Sequence, residues 1–217
     1  MTDSQPLPPD KKRSVGRPKD MAKRDAMLNA ATCLFFRFGL EGVTMEAVAR
    51  EAGVSKVTVY GHFANKEALF GSVIQRETAL LRHGLEQLPD THEAVRQSLI
   101  EVGTSLVRFL LEPHVLAVER VMSTQGSQYP ELLLAFFESG PWATKKWLQE
   151  KLEGLARAGH LTLNAPTLAA DQLCSMWQGM LVMEVRMGVR QLPSDEEIHR
   201  QVSNAVDVFL AAYGKQA

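Results

Sequence analysis

The chain has 217 residues, 45% of them hydrophobic, with 24 Lys and Arg against 25 Asp and Glu. No apolar run approaches the ~20 residues of a membrane span, the first twenty residues lack a leader's apolar stretch, and two cysteines make no disulfide framework. These features argue against membrane-spanning, exported and disulfide-stapled classes, and a reducing cytoplasm is the expected location.

The charge is unevenly spread. Eleven Lys and Arg face five Asp and Glu between Lys11 and Lys66, whereas thirteen face seventeen from Gly71 onward. A basic head on an acidic body is the electrostatic footprint of a nucleic-acid-binding head. Within residues 1–20, Lys11, Lys12, Arg13, Arg17 and Lys19 stand among prolines, the composition of a disordered basic arm. Gly16-Arg17-Pro18 resembles the core of an AT-hook, in which an extended arginine lies in a narrow minor groove; a solvated tail touching only phosphates fits the same residues.

The first helix is carried by Met27, Ala30, Ala31, Leu34, Phe35 and Phe38, an apolar stripe that stops at Gly39. Thr44 then supplies an N-cap oxygen, and Val43 and Val48 are spaced as a hydrophobic staple. Gly53 provides a left-handed terminator, and Ser55 caps another helix almost at once. So tight a turn forces a steep crossing, with Val48, Val54, Val59 and Phe63 as the small core. Residues 44–63 therefore predict a helix-turn-helix, whose second helix enters the major groove of DNA. Asn65 caps a fourth helix running from Lys66 toward Leu88, where Pro89 ends it.

At this point the chain resembles the TetR family of transcriptional regulators. The likeness from Arg24 to Phe70 rests on the apolar helix ending in Phe38-Gly39 and on the threonine-capped helix after it. Ala52-Gly53-Val54-Ser55-Lys56, Thr58-Val59-Tyr60, His62-Phe63 and Lys66-Glu67-Ala68-Leu69 follow at matching spacing. The resemblance implies that Thr44, Ser55, Tyr60, His62 and Lys66 grip phosphates while Lys56, Val57 and Thr58 reach base edges. Helix starts favour phosphate, a lysine suits guanine, and apolar groups suit the thymine methyl. Arg17 joins this set from the arm. Two residues depart from the family pattern: Val57 stands where a small residue is usual, and Gly61 replaces a larger one inside a helix.

Beyond residue 81 the sequence reads as helix throughout. Pro89, Pro113, Pro130, Gly140-Pro141, Gly159, Pro166, Gly188 and Pro193 divide it into about five segments. Residues 165–187 are apolar on nearly every side, as a helix buried by several neighbours must be. Ser194 to Glu197 forms a capping box for the last helix. Met122, Phe136, Phe137, Trp142, Trp147, Met176, Trp177 and Met180 give the body adaptable and aromatic side chains suited to an effector pocket, with plain core packing as the alternative. Arg120-Val121-Met122, Tyr129-Pro130-Glu131-Leu132 and Gly140-Pro141 resemble the AefR-like group of the family. The resemblance further implies that the last two helices pair with their copies in a second subunit, through Met183, Ile198, Val202, Val206 and Phe209. A monomer burying both helices internally is the alternative.

Glu196 and His199 form half of a di-iron motif without a second copy; Cys33, on the first helix, and Cys174, on the buried one, read as inert buried thiols, with redox sensing as the alternative. There is no phosphate loop or nucleophile elbow, so no catalytic residue, metal or cofactor is expected. The expected molecule is all-α: an arm (1–20), a three-helix DNA-binding head (21–81) and a larger ligand-binding and dimerisation body (82–217). It would act as a homodimeric, non-enzymatic repressor, released from a pseudo-palindromic double-stranded DNA operator by a small apolar or amphipathic molecule. The rivals are a ligand-binding adaptor with a silent head, for which Gly61 is the hint, and a helical metal or redox protein.

Overall fold

The computed structural model describes residues 17–39, 42–79, 89 and 91–215. Residues 1–16 of the basic arm, and the stretch over which the fourth helix was expected to reach Leu88, lie outside the described residues. Ten α-helices follow one another there: α1 (Arg17–Phe38), α2 (Met45–Glu51), α3 (Lys56–His62), α4 (Lys66–Ala79), α5 (His92–Leu110), α6 (Pro113–Gln125), α7 (Pro130–Ser139), α8 (Pro141–Arg157), α9 (Pro166–Arg186) and α10 (Asp195–Tyr213). Among the described residues the pairing of extended backbone is limited to one bridge, between Leu161 and Gly214. The body thus has six helices, one more than the breakers suggested, because proline opens α6, α7, α8 and α9 at positions where its missing N–H has no helical partner to lose. α1 begins at Arg17, so the last four residues read as arm are helical.

Two apolar cores organise the helices. One joins Val95, Leu99 and Val107 of α5, Leu148, Leu152 and Leu155 of α8, Leu173 and Trp177 of α9, and Val202, Val206 and Phe209 of α10. The other gathers Met27, Ala31 and Phe35 of α1, Val48, Val59 and Phe63 of the helix-turn-helix, and Leu69, Phe70 and Val73 of α4. It continues into Val118 and Met122 of α6 and Leu132 of α7. α4 approaches α7 so closely that a Cβ added at Gly71 would lie 2.8 Å from the Ser139 hydroxyl, and one at Gly140 would lie 2.9 Å from Ile74. Glycine is what lets these two backbones meet.

Several sequence expectations are corrected by this packing. Phe38 is 52% exposed, with the Arg37 guanidinium 5.2 Å over its ring, because the α1 stripe outruns the core it serves. Leu28, off the stripe, is buried instead. Ile198, Val202, Val206 and Phe209, expected to face a second subunit, are all buried inside this one. An amphipathic stripe demands cover but does not say whose, and here α5 and α9 of the same chain supply it. α9 is also less regular than its composition implied. It is kinked at Gly179 (φ 52°, ψ −156°), a conformation open essentially to glycine alone. The Gln201 side-chain amide, from α10, donates to the Met176 carbonyl at 2.9 Å beside the kink. A Cβ at Gly179 would sit 2.7 Å from that amide nitrogen.

Candidate functional site

The head presents α3 on a frame of local hydrogen bonds. The Ala47 N–H donates to Thr44 Oγ1 at 3.1 Å, the Thr58 N–H donates to Ser55 Oγ at 3.1 Å, and the Ala68 N–H donates to Asn65 Oδ1 at 2.8 Å. Gly53, at φ 64°, turns the chain between α2 and α3, and the Val54 N–H returns to the Ala49 carbonyl at 3.0 Å. Each cap expected from the sequence is therefore present. Val59 and Phe63 fix the inner side of α3 in the core.

The outer side of α3 carries the residues proposed to touch DNA. Val57 is 81% exposed and Tyr60 45%, an apolar and an aromatic group with no packing role that would explain them. Thr44, Ser55 and Lys56 are exposed, whereas Thr58, His62 and Lys66 are half-buried. Lys56 pairs with Glu46 of α2, and its ammonium lies 5.6 Å over the Tyr60 ring. That hydrogen bond from Lys56 is the chief cause holding the Glu46 carboxyl below its ordinary value, and Glu46 in turn raises Lys56. His62 Nε2 stands 3.0 Å from Asp20 Oδ1, and the Arg24 guanidinium lies 5.5 Å over Phe63. Sequence reading missed this latch between the first turns of α1 and the end of α3; no local pattern joins residues so far apart. Arg17 is the first residue of α1. Gly61 has a negative φ, and a Cβ there would meet nothing within 4 Å. The protein's own packing does not require glycine at that position.

The body holds a partly open cavity of about 860 Å³ walled by α4, α5, α6, α7, α8 and α9. Its volume suits a drug-sized molecule. Of the eight residues expected to line a pocket, Met122, Phe136, Phe137 and Trp142 do so. Phe137 stacks edge-on to Phe136 at 5.6 Å and lies 5.5 Å from Trp142. The other four do not reach it. Trp177 is 1% exposed in the body core, wedged against Gly103, where an added Cβ would lie 2.5 Å from the indole nitrogen. Trp147 and Met176 pack on the edge of that core, and Met180 is 68% exposed on α9. Composition marked these residues as adaptable without saying which side of α8 or α9 faced the space. Met183, expected at a subunit interface, is 46% exposed and also borders the cavity. Polar groups missed by the sequence line it too, among them Glu77, Thr78, Glu119, Gln178 and Arg186. Glu196 and His199 are exposed, away from this wall, and among the described residues no three His, Cys, Asp or Glu side chains are grouped as metal ligands. No helix of the described residues is long and apolar enough to cross a membrane.

α4 belongs to both the cavity and the head. Ile74, Glu77 and Thr78 form part of the wall. Arg76, between them, donates to Asn29 of α1 at 2.8 Å, to Thr32 at 2.9 Å and to Glu77 at 3.3 Å. One helical turn thus holds the wall on one side and α1 on the other.

Comparison with known proteins agrees with these two halves. The profile of the bacterial regulatory proteins of the tetR family matches residues 27–73, and that of the AefR-like transcriptional repressor C-terminal domain matches residues 97–215. The regulator YdeS of Bacillus subtilis is 36% identical over 96 residues, which are 44% of this chain and 46% of YdeS. The chain therefore spans about half the length of that curated relative. Two solved structures match far more of it. A TetR-family regulator of Mesorhizobium loti superposes with a TM-score of 0.69 and 28% identity, over 92% of this chain and all of the other. FrrA, a flavonoid-responsive regulator, gives 0.70 and 31%, over 90% of this chain and 98% of FrrA. With its capped helix-turn-helix and its helical body matched along most of its length, the chain belongs to the TetR family of transcriptional regulators, DNA-binding proteins and not enzymes.

Proposed function

We propose that the protein is a homodimeric repressor that grips a pseudo-palindromic operator through α3 and leaves it when a small apolar or amphipathic molecule fills the cavity. The observation that carries this reading is the sharing of α4, whose last turns border the cavity and clasp α1 through Arg76. A ligand that favours a different placing of Glu77 and Thr78 acts on the head through that helix, provided its affinity differs between the two placings.

On DNA, Thr44, Ser55 and Lys66 offer helix starts to phosphates, with Tyr60, His62 and Arg17 beside them. Lys56, Val57 and Thr58 face base edges, and Lys56 must exchange Glu46 for DNA to do so. The subunits would pair through the outer sides of α9 and α10, where Met180, Met183, Met187 and Val208 remain exposed after the inner stripe of α10 is used. Such a dimer acts on chromosomal DNA in the cytoplasm. Because FrrA is a flavonoid-responsive regulator, flavonoids are the first molecules to try on this chain.

The test is selection from a random DNA library with the purified protein and a Tyr60→Ala control. Enrichment of one two-fold symmetric site, lost in the variant, is the expected result. Intact dimers that enrich nothing even at low salt would refute it and favour the adaptor with a silent head. Release of the selected DNA by flavonoids would then test the effector half.

A further inference from the structure

Most of the cavity wall is apolar, but one ion pair is sunk into it. Arg186 of α9 faces Glu119 of α6: Nη2 donates to Oε1 at 2.8 Å, while Nε lies 2.7 Å from Oε2 without hydrogen-bond geometry, and both of these last two atoms are buried and unpartnered. The Arg186 and Glu119 side chains are 31% and 20% exposed, less than those of the Lys145–Asp171 pair elsewhere on the wall, at 35% and 50%. Burial pushes the Glu119 carboxyl up, and Arg186 only partly offsets this. A carboxylate has about four acceptor sites, and this guanidinium engages one of them with hydrogen-bond geometry, on Oε1. The pair therefore holds unused acceptor capacity beside a largely apolar space, where a hydroxyl donor gains most and a second anion is repelled.

Resting on the reading of this cavity as the effector site, we propose that the Glu119–Arg186 pair sets its ligand specificity, selecting uncharged aromatic molecules with a hydroxyl donor and rejecting those that end in a carboxylate. The aromatic part of the preference follows from Phe109, Phe136, Phe137 and Trp142 on the wall. The hydroxyl donates to Glu119 without breaking the pair. A carboxylate approaching Arg186 would stand beside the Glu119 anion, or would have to displace it and leave a half-buried carboxylate without its partner; both cost free energy that a neutral hydroxyl avoids.

Three shape-matched probes separate these cases in the full-length wild-type protein: 4-phenylphenol, 4-methylbiphenyl and biphenyl-4-carboxylate, titrated by calorimetry. The phenol is expected to bind about tenfold or more tighter than either of the others, the gain of one hydrogen bond to a charged acceptor. Glu119→Gln frees Arg186 to meet an anion and is expected to invert the order of phenol and carboxylate. Far-ultraviolet circular dichroism checks that the variant is folded, and the wild-type ranking decides the matter if it is not. Equal affinities, or a wild-type preference for the carboxylate, would overturn the specificity assignment and leave the cavity as effector site. Failure of all three probes to bind would overturn both.

Discussion

Replacing Gly61 by alanine separates stability from DNA binding more cleanly than any other change in the head. Gly61 is the next-to-last residue of the seven-residue helix α3, its φ is negative, and an added Cβ would meet no atom of the protein within 4 Å. Alanine should therefore enter without strain and remove the entropic penalty of a helical glycine. That gain is about 0.5–1 kcal/mol, the lower end applying near a helix terminus. In a chain of this size it raises the melting temperature by roughly 2–3 °C, which differential scanning calorimetry resolves. If Gly61 is kept because the α3 backbone must approach the groove closely, the same methyl group lowers operator affinity while the protein becomes more stable. The paired measurement is melting temperature against the dissociation constant for the selected site, at fixed salt. A variant less stable than wild type would refute the structural reasoning. A stabilised variant with unchanged affinity would refute the close-approach explanation of this glycine.

Three further outcomes are expected. Gly179→Ala should destabilise the body by about 2–4 kcal/mol, combining the cost of a glycine-only conformation with loss of the Gln201–Met176 hydrogen bond; urea unfolding followed by tryptophan emission reads it, and wild-type stability would mean α9 straightens freely. Burial pushes the Cys174 thiol up to about 12, so at pH 8 it stays protonated while exposed Cys33 reacts; Ellman's reagent should count one fast thiol per chain and two after denaturation, and two fast thiols in the native protein would contradict this. Val208→Glu, on the outside of α10, should reduce the mass measured by light scattering to that of one chain with helicity retained, whereas Val202→Ala, fully buried, should cost about 2 kcal/mol of stability and leave the assembly alone. Monomers from the second variant and not from the first would reverse the assignment of the two faces of α10.

What the sequence made legible was what is local. Thr44, Ser55 and Ser194 each bond to a backbone N–H three residues on, and the Ser194–Glu197 box closes in both directions. Such motifs involve neighbours in the chain and need no knowledge of the fold. Periodicity locates α10 but not the owner of its cover; the family resemblance implies a partner for Ile198, Val202, Val206 and Phe209, whereas α5 and α9 of the same chain cover them. Trp177 and Trp142 look alike in the sequence. One fills the notch left by Gly103 and the other borders an open space, because packing between distant helices decides. The kink at Gly179 was hidden for a related reason: a lone glycine among apolar residues is tolerated within a straight helix, and only Gln201 opposite reveals the break. The pairs Arg76–Asn29 and Glu119–Arg186, 47 and 67 positions apart, join polar side chains that pattern alone would assign to solvent.

The core beneath the helix-turn-helix does not close on itself. Val118, Met122 and Leu132, far along the chain, complete the packing around Phe70, Val73 and Ile74. A cut placed between α4 and α5 therefore yields a head that exposes apolar surface and a body that has lost part of a wall. For anyone building hybrid sensors, or asking how such regulators diversified by recombination, the transferable piece is not residues 21–81. It is the head together with the inner faces of α6 and α7, and grafts that ignore those faces should yield insoluble or permanently unresponsive chimeras.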